Sequence, residues 1–420
     1  MKVGFYFDKR NAGNLDCTDI LKGNPGVGGS EYEFLLVSYL LEKRNNDLDI
    51  VLFSASPIKV PHKNFIYTGT TIEGLCEACI REKVKTLVIN KSQLDEKVFS
   101  EYSDKISLIL WAHNTIPFHV LNQIQRISYV KRLVCCGREM LELFRDHPIS
   151  IKSTYVYNIF PIEDKSWYQS RIDFSDNHNV VYMGMIAPVK GFHVLAQAWK
   201  DVLKRVPDAQ LYVIGSGKLY DKDAMLGRHG LTSEVYEEQI FPYLEDENHN
   251  LLPSVHFMGL MGVEKYDVIG KCKVGVPNPT GDSETFCLCG IEMQLMNCGI
   301  TTIYHPAYLD TVCNKNYLYK SINELAEYVS KRLLAPRDNY DKVFEFITKK
   351  FDAANSLSRW EEIIKGINEP LDIEPISDKK YHMKGLKDTL LRIKLKFPFF
   401  KVIPPIERVF NFWNHRILKR

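Results

Sequence analysis

Short apolar runs alternate with stretches of helical apolar spacing through the first 160 or so residues. Val3–Phe7, Asp49–Phe53, Thr86–Ile89, Ile106–Trp111, Arg132–Cys136 and Thr154–Tyr157 predict strands, with amphipathic helices such as Glu31–Arg44 and Arg138–Phe144 between some of them. That rhythm predicts a parallel, doubly wound α/β sheet. After a polar stretch around Gln169–Asn179 it restarts. Val180–Met183, Gln210–Ile214, Val255–Met258 and Val274–Pro277 read as strands, Phe192–Arg205 and Glu264–Lys271 as helices. Two such halves on a short link predict a ligand cleft between domains. Phe344–Ile367, with Trp360, reads as closing helices, and no internal repeat is visible.

Length agrees with this division, because 420 residues exceed what one hydrophobic core usually supports. With 45% apolar and 25% charged residues the composition is that of a soluble globular protein. Asp8-Lys-Arg10 interrupts the first apolar run too soon for a secretory signal, and no run approaches the eighteen or so apolar residues of a membrane span. The protein is expected in the cytoplasm. Ten cysteines without a regular framework fit reduced thiols. Cys76 and Cys79 form a C-x-x-C, but with Ile72, Leu75 and Ile80 around them they read as buried thiols on a helix face and not as a zinc site.

The candidate chemistry concentrates in Lys273–Gly299. Strand, polar turn, Glu284, helix and Glu292 follow in that order, with Leu288, Ile291, Leu295 and Met296 at helical spacing. Unpaired N–H groups at the helix start favour an anion such as a diphosphate. Carboxylates beside a phosphate would repel it, so hydroxyl groups are the fitting partners for both glutamates. Upstream, Gly184-Met-Ile-Ala-Pro-Val-Lys190-Gly191 joins a strand to a helix and could set an ammonium over a leaving diphosphate. Asn24-Pro-Gly-Val-Gly28-Gly29-Ser-Glu31 is a glycine-rich turn before a helix, without the G-x-G-x-x-G spacing of a dinucleotide site.

The segment from Glu284 to Glu292 resembles the E-x7-E region of retaining glycosyltransferases of glycosyltransferase family 4. Gly184–Gly191 is similar to that family's G-R-(x)4-K-G. The resemblance covers about residues 1–367 and implies a GT-B fold: two doubly wound Rossmann-like domains facing a central cleft. It implies an acceptor-side domain at 1–170, a nucleotide-sugar-binding domain at 177–343 and closing helices at 344–368 that return to the first domain, while a basic aromatic tail at 369–420 lies outside it. Catalytic roles fall on Glu284, toward the donor sugar, on Lys190, toward the phosphates, and on His113 of Trp-Ala-His-Asn, near the transferred sugar. Donor contacts fall on Glu292, toward the ribose, on Gly28, Gly29, Gly184, Gly215, Gly259 and Leu260, and on Phe286, Cys287 and Leu288, whose N–H groups face the phosphates. Asn158 resembles the Asn that shapes the family's hinge.

Two positions depart from the pattern. Met185 stands where the family has arginine, removing half of a phosphate clamp, and Cys287 stands where glycine is usual. Asp221-Lys-Asp223 is a D-x-D that follows no strand end; it reads as loop charge, and no essential metal or other cofactor is expected. The implied reaction moves a sugar with retention from a nucleotide diphosphate to a hydroxyl, and the tail described below points to a lipid-linked saccharide as its acceptor, in surface polysaccharide synthesis. The alternatives are an epimerase or hydrolase of the same fold, and a non-catalytic nucleotide-sugar-binding protein at a membrane.

The net charge of +2 conceals an asymmetry, since residues 379–420 hold twelve Lys/Arg against two Asp/Glu and leave the rest acidic. There Lys384, Lys387, Arg392, Lys394, Lys396 and Lys401 are interleaved with leucines and phenylalanines, and the end carries Phe410, Phe412 and Trp413. The pattern favours peripheral contact with an anionic membrane surface on the cytosolic face, over helices docked on the acidic body. Nucleic acid is not expected as a partner, because no recognised module accompanies the charge.

Overall fold

A computed structural model describes residues 1–10, 12, 15–25, 27–44, 47–218, 225–375 and 383–409. Asp221 and Asp223, Lys379, Phe410, Phe412 and Trp413 lie outside the described residues. The chain forms two compact units. The first comprises the described residues of Met1–Pro161 and Phe351–Arg420, the second those of Ile162–Lys350.

Unit 1 contains seven parallel strands: β1 (Lys2–Phe7), β2 (Asp49–Ser54), β3 (Phe65–Tyr67), β4 (Thr86–Asn90), β5 (Ser107–Ala112), β6 (Val130–Cys135) and β7 (Ser153–Tyr155). Their order in the sheet is β3-β2-β1-β4-β5-β6-β7, with Val3 opposite Ile50 on one side and Thr86 on the other. Helices cover both faces of such a sheet, so its strands read as near-continuous apolar runs. Trp111 of β5 and Trp360 of the helix Ala353–Lys365 meet in the core with ring centroids 4.7 Å apart, and Phe5 of β1 lies 6.0 Å from Trp360. The helix Ile72–Arg81 buries Cys76 and Cys79 but leaves Ile80 outside.

Unit 2 repeats the plan with β8 (Asn179–Met183), β9 (Gln210–Ile214), β10 (Val255–Gly259), β11 (Val274–Gly275) and β12 (Gly299–Ile300), ordered β10-β9-β8-β11-β12. Val180 and Val181 of β8 pair with Leu211 and Tyr212 on one side and with Val274 and Gly275 on the other. Trp199, from the helix Phe192–Arg205, fills the core beneath this sheet, and its indole N–H donates to Ser254 Oγ at 3.1 Å.

In each unit the strand order reverses next to the first strand, between β1 and β4 and between β8 and β11. Open α/β sheets bind ligands outside the carboxyl ends of the strands at this switch point. The tail from Met383 to Val409 is folded onto unit 1 through the helix Lys384–Lys396. Among the described residues no helix is long and apolar enough to cross a membrane.

Candidate active site

Lys190 and Glu284 stand on the two sides of the switch point of unit 2. Lys190 ends the turn that follows β8, Glu284 lies in the loop that follows β11, and their side chains meet at Nζ···Oε2 3.2 Å. Asn278 ties the two loops together, its Nδ2 donating to Asp282 O at 2.9 Å and to Val189 O at 3.3 Å. Three hydroxyls fix the same loop from below. Thr302 Oγ1 donates to Asn278 O at 3.0 Å, Tyr308 OH to Asn278 O at 2.7 Å and Tyr319 OH to Pro279 O at 2.7 Å. Gly191 has φ +67°, and a Cβ there would lie 2.8 Å from Thr280 Cγ2, so the approach of the two loops requires glycine.

Glu292 sits in the helix Leu288–Leu295, with both of its protein contacts on Oε1: Tyr266 OH donates at 2.9 Å and Lys265 Nζ lies at 2.6 Å. Burial, with the Glu292 charge beside it, pushes the Tyr266 phenol far above its ordinary range, so it remains a donor. Lys265 and Tyr266 were not singled out in the sequence, where a lysine and a tyrosine opening a short helix look like ordinary surface positions.

Gly184, Gly215 and Gly259 close β8, β9 and β10 side by side. Gly184 N–H donates to Ile214 O at 3.0 Å and Gly215 N–H to Gly259 O at 2.8 Å. Gly215 has φ +140°, and a Cβ on it would collide with the Gly184 carbonyl oxygen. Leu260 follows, more than half exposed. The row brings three glycine backbones together, with nothing within 4 Å of where a Cβ on Gly259 would stand, a surface suited to the flat parts of a nucleotide.

The expected phosphate amides are only partly available, since Leu288 N–H already donates to Phe286 O at 3.1 Å. Phe286 and Cys287 are buried, and Cys287 turns inward, its Sγ 3.5 Å from Cys289 Sγ. Burial holds the Cys287 thiol well above its usual range, first by desolvation and then through Cys289, so it is no nucleophile. Met185 is half-buried, and its carbonyl accepts from Tyr182 OH at 3.2 Å. Among the described residues no cluster of three or more His, Cys, Asp or Glu could hold a metal ion.

The other candidates belong to unit 1. His113 follows β5 but is buried against Trp111, ring centroids 4.5 Å apart, and beside Asn158. Burial pulls its imidazole down to about 3 against the opposing Asn158 contact, so the ring is neutral at physiological pH. Asn158 is itself buried, and the next residue's N–H donates to Glu33 Oε2 at 3.0 Å. Gly28 caps the helix Gly29–Lys43, and the Glu31 carboxylate folds back against it. Asp8, just past β1, bonds to Gln93 and is raised by burial and then by the Glu31 charge. These acids make the surroundings of Gly28 and Gly29 better suited to hydroxyl groups than to a phosphate.

No protein-family model matches the chain, and no curated protein matches its sequence. Solved structures do match in fold. Anabaena HepE in complex with UDP and glucose superposes with a TM-score of 0.59 at 13% identity, over 87% of this chain and 100% of that one. AviGT4, a glycosyltransferase involved in avilamycin A biosynthesis, gives 0.57 at 11% identity over 88% and 98%. The catalytic domain of starch synthase IV from Arabidopsis thaliana, bound to ADP and acarbose, gives 0.54 at 10% identity over 88% and 99%. At these identities the likeness shows the fold, and that fold is GT-B.

Proposed function

We propose that the protein is a retaining glycosyltransferase of the family 4 type, moving a sugar from a nucleoside diphosphate to a hydroxyl of a lipid-linked saccharide in surface polysaccharide assembly. The observation that carries this reading is the Lys190–Glu284 pair at the switch point of unit 2. The bound UDP and ADP of similarly folded proteins support it. Unit 2 takes the donor and unit 1 serves the acceptor side.

Tyr266 and Lys265 hold Glu292 by Oε1, leaving Oε2 to accept from the ribose hydroxyls. Glu284 accepts from a hydroxyl of the donor sugar. As the anomeric C–O bond breaks, negative charge grows on the departing phosphate, and the Lys190 ammonium stabilises that state more than the bound donor. The acceptor oxygen attacks from the face the phosphate leaves and passes its proton to a phosphate oxygen. No opposed pair of carboxylates is required, unlike in glycosidases. The neutral His113 imidazole bonds a hydroxyl of the transferred sugar, and the loop at Gly28 and Gly29 meets the acceptor. The reaction needs no metal, so EDTA leaves turnover intact. The tail places the enzyme on an anionic membrane surface.

Thermal melts with UDP-, GDP- and ADP-sugars test the reading. A donor at about a hundred times its Kd adds about 2.7 kcal/mol. The absence of a shift with every donor would contradict the proposal. Nucleotide released without an acceptor would indicate the epimerase or hydrolase. Met185 favours one other reading, a non-catalytic nucleotide-sugar-binding protein, in which Glu284→Ala leaves cellular function intact while loss of the tail abolishes it.

A further inference from the structure

The helix Lys384–Lys396 is amphipathic in the inverse sense. Lys384, Lys387, Leu391 and Lys394 share one face, and that face is turned into unit 1, with all three lysines at most 1% exposed. Each ammonium meets the protein's own acceptors. Lys384 Nζ lies 2.6 Å from Glu139 Oε1, Lys387 Nζ 2.9 Å from Glu142 O and 2.8 Å from Glu407 Oε2, and Lys394 Nζ 3.1 Å from Asp146 Oδ2. The outer face of the helix mixes Leu386 and Ile393 with Thr389, Arg392 and Lys396, and the turn that follows is apolar among its described side chains. Leu386, Ile393, Phe397, Phe399, Val402 and Ile403 stand in solvent, Phe399 67% and Val402 80% exposed.

A helix docked on a water-soluble body ordinarily turns its leucines in and its lysines out. The reversal leaves those apolar side chains outward, beside three described cations that have partners. Arg392 bonds Asp388 Oδ2 at 2.9 Å, Lys396 lies over the Phe397 ring at 5.5 Å and Arg408 over the Phe118 ring at 5.2 Å. Exposed aromatic and branched side chains with cations at their rim match the headgroup boundary of a bilayer. The sequence beyond the described tail continues in kind with Phe410, Phe412, Trp413, Arg416, Lys419 and Arg420.

We propose that this tail holds the protein to a lipid bilayer mainly by inserting those apolar side chains, with Lys384, Lys387 and Lys394 turned to acceptors of unit 1 and so withheld from anionic headgroups. The proposal rests on the membrane part of the preceding reading and is independent of glycosyl transfer. Flotation of the full chain with vesicles of phosphatidylcholine, alone or with about 30% phosphatidylglycerol, tests it at about 0.1 M and 1 M NaCl, where the screening length falls from about 10 Å to about 3 Å. Both vesicles are expected to bind the protein, with less than about a threefold loss at high salt. Phe399→Ser with Val402→Ser should lower binding at least about tenfold, and Arg392→Gln with Lys396→Gln less than about threefold. Four results would overturn it: no flotation of the parent chain, binding confined to anionic vesicles and abolished by salt, unchanged binding of the serine variant, or a parent dimer that the serine variant converts to monomer. Donor-induced melting shifts in the same samples separate the two readings, since they report on unit 2 whatever the tail does.

Discussion

Lys190→Met keeps the aliphatic stem and removes the charge that faces Glu284. A phosphate oxygen about 4 Å from this ammonium interacts by about 4 kcal/mol at an effective dielectric constant of about 20. Departure of the nucleotide adds about one unit of negative charge to a diphosphate that the ground state already binds, so only that increment acts on kcat. The Lys190 side chain is 24% exposed, and screening reduces the increment to about 3 kcal/mol, about a hundredfold in rate. The variant also leaves Glu284, 11% exposed at its side chain, without its cation. Donor affinity should therefore fall as well, while Glu284→Gln in the same chain should recover part of the loss, with a coupling of about 0.5–3 kcal/mol. Initial rates of nucleotide release across donor and acceptor concentrations separate kcat from KM. A kcat within about threefold of the parent would refute the role given to Lys190, because a cation 3.2 Å from Glu284 would then contribute nothing as charge develops.

Three further outcomes are expected. Gly215→Ala places a methyl against the Gly184 carbonyl oxygen at a φ of +140° and should weaken donor binding at least about tenfold, at a cost in stability of about 1–3 kcal/mol, by titration calorimetry and thermal melts. His62 and His147 are pulled down to about 4 and His113 to about 3 by burial; they stay neutral in the fold but bind protons once unfolded below about pH 6.5. Stability of unit 1 should then be whole above that pH and fall toward pH 4, by up to about 3–4 kcal/mol per pH unit near pH 5.5. Glu33, raised by burial, opposes them because the fold keeps its proton. A urea midpoint by tryptophan fluorescence that does not move between pH 7 and 5.5 would show that the imidazoles are not held neutral. Lys394→Met leaves Asp146, 0% exposed, without its ammonium and should loosen the tail by about 3–5 kcal/mol, seen as faster proteolysis after residue 375, whereas Lys396→Met should not.

The alternation of the two halves was legible because each strand of a parallel sheet is an apolar run long enough to stand out. β3 was not, since Phe65–Tyr67 is three half-exposed edge residues with Pro61 shortly before them. β11 is shorter than Val274–Pro277 suggested, as Pro277 and Pro279 have no N–H to continue a ladder. Glu284 and Glu292 were legible as a spacing and Lys190 as the end of a strand-to-helix turn, but the groups that hold Glu292 were not, because Lys265 and Tyr266 lie 27 and 26 residues upstream of it in unremarkable sequence. The tail shows the sharpest limit. In the sequence its lysines and leucines are only interleaved, and which of them turn inward is decided by Glu139 and Asp146, about 245 residues away.

Those distant acids tie the two ends of unit 1 into one folding problem. A shortened chain ending near residue 375 would give up the tail's ion pairs with Glu139 and Asp146 and its bond to the Glu142 carbonyl, so trimming the tail for solubility is expected to weaken the very body it was meant to liberate. Glu139→Gln and Asp146→Asn are the natural companions of any truncation, since they remove the two charges that the tail lysines face.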